Sequence, residues 1–278
     1  MSCVTLFAHY DPDNIIADYI LFHLKHLKEN SDFLVFITTS RLDEMELQKL
    51  SGIVSEVVIQ PQNVGFDFYS WSSYLVKHRA EIEKYDGLLL TNSSIIGPLF
   101  PLGPIIQSMQ SHAYWGMTDS YQIDYHLQSY FVFFQGNTVR TQIFWDFFEN
   151  IIPFPSVDSV IQAYEVNLTR YLQHFFGKPG VVALKEASFV RRRVFKFFSF
   201  HKEKKEEWML VYKHFGLFKY LELRDAVNPC FYFSDQLIAQ QFPYVKVKLL
   251  KNNHYNCNLK RTRTCLLESG INLSGMIL

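Results

Sequence analysis

Four short polar clusters hold the side chains whose types and spacing could do chemistry. They are Asn63-Val64-Gly65-Phe66-Asp67, Asn92-Ser93-Ser94, Asp119 followed by His126 and Gln128, and Tyr164-Glu165. Asn and Asp supply short, directional hydrogen-bonding groups suited to a nucleoside or a diphosphate, and glycine lets the backbone approach a ligand closely. A glutamate near the start of a helix could accept the proton of an attacking hydroxyl. Together the clusters favour recognition of a phosphorylated ligand combined with general-base chemistry.

Each cluster also has an ordinary structural explanation. Asn63 and Asp67 could form an Asx turn and a helix cap, and the polar residues around Ser93 could simply close a core strand. A single histidine such as His126 is more often a structural residue, and an isolated Glu165 would more often be a solvated helix position. In favour of function, polar groups bracketed by aromatic rings are what carbohydrate sites combine. Both interpretations remain open at the level of single clusters.

The elements that must position these clusters alternate between short apolar runs and longer amphipathic runs. Each short apolar run is followed by an amphipathic run: 4–8 by 14–28, 33–38 by 42–50, and 57–60 by 68–83. A further apolar run covers residues 88–91. Short β-type runs separated by helical periodicity are typical of βαβ units and a mostly parallel sheet. We therefore predict an α/β fold of the Rossmann type, a mixed, mostly parallel sheet flanked by helices.

Ligands bind such sheets at the carboxyl edge, where the loops after the strands converge. The residues just after the predicted strands are therefore candidate substrate-binding residues. They are His9, Tyr10, Asp11, Ser40, Asn63, Gly65, Asp67, Asn92, Ser93 and Ser94. His126 and Gln128, close in sequence to a later strand end, join this set as groups for sugar hydroxyls or an acceptor.

The second half of the sequence predicts two more strands, an aromatic helix and a helix that carries Glu165. The strands cover residues 114–118 and 130–134, and the aromatic helix covers 140–150. Ser156 and Asp158 are suitable caps for the last helix, which should end before Gly177. Glu165 would then be a carboxylate on a rigid element.

The composition changes near residue 190, where arginines and lysines interleave with phenylalanines. We predict a nucleotide-sugar-binding and catalytic domain over residues 1–189 and a helical or irregular C-terminal extension over 190–278. The basic aromatic stretch that begins at Arg191 and ends at Lys205 favours peripheral contact with an anionic membrane surface. The alternative is a solvated helix that packs its phenylalanine face on the core.

Bulk composition excludes several classes of partner. Lys plus Arg and Asp plus Glu both number 27, and the basic residues concentrate in one short stretch, so we expect no nucleic acid partner. The four cysteines form no CxxC pair, which argues against a zinc site or a disulfide framework. The start lacks the features of a signal peptide, and no apolar run could span a bilayer. We expect a cytoplasmic protein, with any membrane contact peripheral and on the inner face.

The polar clusters described above, together with several other segments and in their order along the chain, resemble the rhamnan synthesis F family. The resemblance rests on residues 6–11, 63–68 with Trp71, Gly97-Pro98-Leu99, 116–120, 126–131, Tyr164-Glu165, Asn228-Pro229, Phe242-Pro243 and Lys246. That family is similar to inverting glycosyltransferases of the GT-A type. The resemblance implies that Asn63, Gly65 and Asp67 hold a donor nucleotide and that Glu165 is the catalytic base.

The resemblance also implies a reaction. It predicts transfer of a sugar to a growing bacterial surface polysaccharide, such as the O-antigen of lipopolysaccharide. The implied donor is a nucleotide sugar such as dTDP-L-rhamnose, and the implied acceptor is a lipid-linked glycan. A galactosyl or fucosyl donor is the closest competitor, because related folds accept many donors. A non-catalytic subunit that binds a glycan or a nucleotide sugar is the alternative from another class.

One position departs from the family pattern. The family usually has Asn-Asp-Ser after the central strand, whereas this chain has Asn92-Ser93-Ser94 and so lacks the carboxylate expected to meet Mg²⁺ or Mn²⁺. Three explanations remain. The first is that other groups, such as Asp119, hold the metal, and Asp119 is accordingly a candidate catalytic residue. The second is that catalysis needs no metal. The third is that this copy of the enzyme is impaired.

Overall fold

The computed structural model describes residues 1–120, 123–183, 229–232, 234–253 and 259–273, and a seven-stranded sheet lies at their centre. Its strands are β1 (Cys3–His9), β2 (Phe33–Thr38), β3 (Glu56–Ile59), β4 (Gly87–Asn92), β6 (Tyr114–Gly116), β9 (Phe131–Gln135) and β10 (Gly180–Val181). Two small sheets pair β5 (Ile95–Ile96) with β11 (Val245–Lys246), and β7 (Asp119–Ser120) with β8 (His126–Leu127).

The strand order of the large sheet is β10-β6-β9-β4-β1-β2-β3. Strands β4, β1, β2 and β3 run parallel to one another, and β9 is antiparallel to both β4 and β6. Every residue of β1 and β4 is buried, as expected of parallel strands covered on both faces. Because both faces are buried, the sequence of each strand is a short apolar run, and this run predicted the strand. The predicted fold class, a mixed and mostly parallel sheet flanked by helices, is confirmed.

Helices connect the strands and cover both faces of the sheet. They are α1 (Asp18–Lys28), α2 (Glu44–Gln48), α3 (Phe66–Lys77), α4 (Arg79–Ile82), α5 (Gly103–Ser108), α6 (Gly136–Val139), α7 (Gln142–Glu149), α8 (Val157–Val160), a π-helical turn (Ile161–Val166) and α9 (Asn167–Phe176). Four further helices follow at Pro229–Tyr232, Ser234–Ala239, Val247–Lys251 and Lys260–Glu268.

The predicted helix that carries Glu165 is present with its predicted boundaries. The Ser156 side chain caps α8 by accepting a hydrogen bond from the backbone N–H of Ser159. The helix continues through the π-helical turn into α9, and Gly177 ends it at a φ of 76°. Glycine adopts this positive φ without strain, which explains the abrupt stop.

Alternating side chains of the strands divide the core into two layers. Phe7 of β1 packs with the layer under α1, whereas its neighbour Leu6 packs with the layer under α3, α7 and α9. The first layer also contains Leu249 and Leu250 from the C-terminal part. Residues near the end of the chain therefore belong to the same core as β1.

Residues 243–247 are held against the segment that follows β4. Strand β11 pairs antiparallel with β5, and the backbone N–H of Val247 donates to the carbonyl of Ser94 at 3.0 Å. The N–H of Leu99 donates to the carbonyl of Pro243 at 2.8 Å. A Cβ added at Gly97, which has a φ of 137°, would overlap that same carbonyl, so this contact requires glycine.

The predicted boundary at residues 189 and 190 lies outside the described residues, as does the basic aromatic stretch between Arg191 and Lys205. Within the described part of the chain, none of the helices has both the length and the apolar character needed to cross a membrane.

Candidate functional site

A cavity of about 310 Å³ lies at the carboxyl edge of the sheet, beside the ends of β1, β2 and β4. The predicted site residues that line it are His9, Tyr10, Asn63, Asp67, Asn92, Ser93, Ser94 and Glu165. Ser129, Tyr130 and Lys246 are among the other residues that line it. The structure thus brings two of the polar clusters, residues of the β1 end and the predicted base to one place.

Hydrogen bonds link four of the residues that line this cavity. Asn92 Nδ2 donates to Asp67 Oδ2 at 2.7 Å, and Asn92 Oδ1 accepts from Ser94 Oγ, also at 2.7 Å. Lys246 Nζ then donates to Ser94 Oγ at 3.1 Å. Asn92 therefore orients a carboxylate on one side and, through Ser94, an ammonium group on the other.

The local backbone explains why Asp67 reaches this chain. Gly65 has a φ of 70° and immediately precedes α3, so Asp67 falls in the first turn of that helix. A Cβ on Gly65 would lie 2.5 Å from Tyr69 Cβ and 3.0 Å from Pro153 Cα. Glycine is therefore required both for the positive φ and for the space. Gly65 itself does not line the cavity; it positions Asp67, which does.

Glu165 lines the same cavity from the π-helical turn. Its Oε1 accepts hydrogen bonds from Ser129 N at 2.7 Å and from Ser129 Oγ at 3.0 Å. Among the described residues, no hydrogen bond reaches its Oε2. Single π-turns inside α-helices occur frequently at functional sites. The carboxylate is thus fixed by one oxygen and can accept a proton with the other.

The end of β1 contributes a neutral histidine and an exposed aromatic ring. His9 is buried, and its Nδ1 lies 2.9 Å from Thr38 Oγ1. Burial lowers the pKa of His9 to about 4, so its imidazole is uncharged at neutral pH. Tyr10 lines the cavity and is 50% exposed.

Asp11 and Ser40 do not line the cavity but join the loops beside it. Asp11 N donates to Ser40 Oγ at 2.7 Å, and Ser40 Oγ donates to the Asp11 carbonyl at 3.0 Å. The Asp11 carboxylate accepts from the N–H of Asp13 at 2.9 Å. These bonds hold the loops after β1 and β2 in place, so the two residues support His9 and Tyr10 indirectly.

The third predicted cluster lies elsewhere. Asp119 lines a separate cavity, together with Arg170 and Lys178. His126 is buried and its Nδ1 donates to the Asp124 carbonyl at 2.8 Å, while the buried Gln128 accepts from Thr118 Oγ1 at 2.7 Å. None of the three lines the cavity that holds Glu165.

Lys246, Ser129 and Tyr130 were not predicted as site residues. Lys246 comes from β11, whose pairing with β5 no local pattern could indicate. All three belong to the segments that carry the family resemblance, and Ser129 and Tyr130 directly follow the predicted site residue Gln128. The usable signal was that Ser129 and Tyr130 directly precede β9, a strand in the centre of the sheet.

Comparison with known proteins decides the family. Residues 34–178, just over half of the chain, match the model of rhamnan synthesis protein F. The chain belongs to the rhamnan synthesis protein F family. The match includes Asn63, Asp67, Asn92 and Glu165, and it ends before Lys246. Membership in this family indicates a role in polysaccharide synthesis.

Other relatives extend the similarity along the chain. The virulence protein VirA of Vibrio anguillarum is 29% identical over 259 residues, which cover 90% of this chain and 80% of that protein. HddC from Yersinia pseudotuberculosis matches 55% of this chain and 88% of its own at 11% identity and a TM-score of 0.35. A glycosyltransferase involved in glycosylation of the major capsid of PBCV-1 matches 65% and 81% at 11% identity and a TM-score of 0.36. The VirA match necessarily reaches beyond residues 34–178.

The cavity contains few of the acidic side chains that usually bind a divalent cation in proteins. Asp67 and Glu165 are the carboxylates that line it, and position 93 carries the hydroxyl of Ser93 in place of the aspartate that the resemblance implied. The described residues contain no group of three His, Cys, Asp or Glu side chains placed to hold a metal ion. Instead, the ammonium group of Lys246 lies beside Ser94.

The Asp67 carboxyl should make stability depend on pH. Burial raises its pKa from 3.8 to about 6; the hydrogen bond from Asn92 and the charge of Lys246 act in the opposite direction, and Glu165 adds to the rise. Between pH 4 and pH 6 the folded state therefore holds more protons at this group than the unfolded state. The contribution of Asp67 to the free energy of unfolding consequently decreases as the pH rises through this window.

The variant Asp67→Asn tests this linkage, because the new amide can still accept from Asn92 but does not titrate. Urea unfolding at a series of pH values should show a less negative slope of stability against pH for the variant than for the wild type. Other groups, such as His9, titrate in both proteins and cancel in the difference. Identical slopes for the two proteins would show that Asp67 has no raised pKa.

Proposed function

We propose that this protein is a glycosyltransferase that takes a sugar from a nucleotide-sugar donor during synthesis of a surface polysaccharide. The observation that carries the proposal is the single cavity that joins Asn63, Asp67 and Asn92 to Glu165. Membership in the rhamnan synthesis F family supports the same class of reaction. The cavity lies at the sheet edge where α/β folds bind their ligands.

The cavity offers separate places for the two substrates. Asn63 and the N-terminal turn of α3 provide hydrogen-bonding groups for the donor nucleotide, and Tyr10 offers a stacking face. Glu165 lines the cavity from the π-helical turn, where we place the acceptor hydroxyl. Because Ser129 fixes Oε1, the free Oε2 can point at that hydroxyl with little loss of conformational freedom.

The proposed reaction is a single displacement with inversion. The acceptor oxygen attacks the anomeric carbon, Glu165 takes the proton from that oxygen, and the bond from the anomeric carbon to the diphosphate oxygen breaks. The bonding electrons leave with the nucleoside diphosphate. The products are the glycosylated acceptor, the nucleoside diphosphate and a protonated Glu165, which then releases its proton to water.

The finer assignment is dTDP-L-rhamnose as donor and a lipid-linked glycan as acceptor. The family description motivates rhamnose, and a galactosyl or fucosyl donor is the competing assignment. The proposed membrane contact through the stretch between Arg191 and Lys205 would suit a lipid-linked acceptor. Flotation with liposomes that contain anionic lipid tests that contact, and binding without any dependence on anionic lipid counts against it.

A thermal-shift screen of nucleotide sugars tests the proposed function. We expect one of dTDP-L-rhamnose, UDP-galactose and GDP-fucose to raise the Tm, because a ligand at 100 times its Kd stabilises the native state by about 2.7 kcal/mol. The stabilising donor should then support transfer of labelled sugar to an extracted lipid-linked glycan. Failure of every donor to raise the Tm, with and without Mg²⁺ or Mn²⁺, would contradict the proposal.

Binding without turnover would favour a non-catalytic subunit instead. The serine at position 93, where the family usually has a carboxylate, motivates this second candidate. The two candidates differ in one measurement, the release of nucleoside diphosphate from the bound donor across a broad set of acceptors.

A further inference from the structure

We propose that Lys246 binds the diphosphate of the nucleotide-sugar donor and neutralises its charge in place of a divalent cation. This inference rests on the proposed function and adds to it the group that stabilises the departing nucleoside diphosphate. Of the three explanations for the serine at position 93, the inference favours the one in which catalysis needs no metal.

The fold places Lys246 beside the turn in which Ser93 departs from the family pattern. In the pairing of β11 with β5, Lys246 lies opposite Ile95, directly after Ser94. Its Nζ donates to Ser94 Oγ at 3.1 Å, and the next backbone N–H, that of Val247, donates to the Ser94 carbonyl at 3.0 Å. These contacts hold the ammonium group beside the Asn92-Ser93-Ser94 turn.

Nearby groups favour the ammonium form of Nζ, which keeps hydrogen-bond donors for a ligand. Burial lowers the pKa of Lys246, while the negative charges of Glu165 and Asp67 oppose that change and favour the ammonium form. Nζ also lies 4.1 Å from the centre of the Tyr130 ring, a cation–π contact. An ammonium group has three donors, and Ser94 occupies one of them, so phosphate oxygens can accept from another.

Lys246 is the cation available to a diphosphate in this cavity. Among the described residues that line it, no other lysine and no arginine is present, and His9 is neutral. The separate cavity of Asp119 holds its own cations, Arg170 and Lys178. A charge-assisted hydrogen bond from Lys246 would be stronger in this partly buried setting than in water.

The same group fits the chemistry of the transfer step. When the bond from the anomeric carbon to the diphosphate oxygen breaks, negative charge increases on that oxygen. A fixed ammonium group stabilises this charge without changing its own protonation. The proton of the acceptor goes to Glu165, so Lys246 neither gains nor loses one and no further reactant is needed.

Titration calorimetry with dTDP, UDP, GDP and CDP as probes tests the inference on the full chain. We expect the wild type to bind at least one probe equally well in EDTA and in excess Mg²⁺ or Mn²⁺. Lys246→Met should weaken that binding roughly 10- to 100-fold, because it removes a hydrogen bond from a charged donor. Lys246→Arg, which keeps the charge, should recover part of the loss.

Lys248→Met is the matched control, since Lys248 is exposed and two residues away in the chain. It should bind the probes as the wild type does. If urea unfolding shows that Lys246→Met does not fold, two other measurements still test the inference. They are the metal dependence of probe binding by the wild type and the probe affinity of Lys246→Arg. Wild-type binding that EDTA abolishes, or equal binding by a folded Lys246→Met, overturns the inference alone. No wild-type binding under any condition contradicts the proposed function as well.

Discussion

Replacing Glu165 by Gln is expected to lower kcat by about 10²- to 10⁴-fold while leaving donor affinity unchanged, because the variant loses only the general base. Glutamine is nearly the same size, and its carbonyl oxygen can still accept the hydrogen bonds of Ser129 that orient Oε1. It cannot take the proton of the acceptor hydroxyl. The measurements are initial rates of sugar transfer and calorimetric affinity for the donor.

Glu268→Gln is the control for this experiment, because Glu268 is exposed at the end of a C-terminal helix and does not line the cavity. We expect it to transfer sugar at the wild-type rate. A fully active Glu165→Gln variant would place the base elsewhere. Loss of donor affinity in parallel with the rate would give Glu165 a role in donor binding instead.

Replacing Phe134 by Ala is expected to lower the free energy of unfolding by about 3–5 kcal/mol, the usual cost of emptying a buried phenylalanine site. Phe134 is fully buried on β9, between β4 and β6 in the sheet. Its ring contacts those of Phe144, at 5.2 Å between centroids, and Phe148, at 6.4 Å. The substitution therefore removes a contact between the sheet and α7.

Phe175→Ala is the matched control, because the Phe175 side chain is 49% exposed on α9. Its removal should cost no more than about 0.5 kcal/mol, as for most surface substitutions. Urea unfolding of the two variants and the wild type gives both values. Equal losses for Phe134 and Phe175 would mean that the rings around β9 do not determine stability as described.

The parallel part of the sheet could be predicted because its strands are buried on both faces. The apolar run at residues 33–38 matches β2 without a shift, and the runs near β1 and β4 differ from those strands by a residue at each end. The helix that carries Glu165 was predictable because its start and end are local signals. The Ser156 hydroxyl caps its first turn, and Gly177 ends it.

The arrangement of the candidate site could be predicted only in part. The rule that loops converge at the carboxyl edge identified Asn63, Asp67 and Asn92, which do share a cavity. It gave no way to place Asp119, because the pairing of β7 with β8 directs that segment to another cavity. It also gave no access to Lys246, since strand pairing between distant segments has no signature in either segment alone.

The pairing of β5 with β11 has a consequence for how the protein is made. Ser94 and Lys246 are 152 positions apart, so Ser94 leaves the ribosome well before Lys246 is synthesised. Until then the nascent polypeptide can form β1 to β4 but has no ammonium group at the Asn92-Ser93-Ser94 turn. The lysine that we propose for the diphosphate therefore reaches the Asn92-Ser93-Ser94 turn only after residue 246 has been synthesised, when β11 can pair with β5.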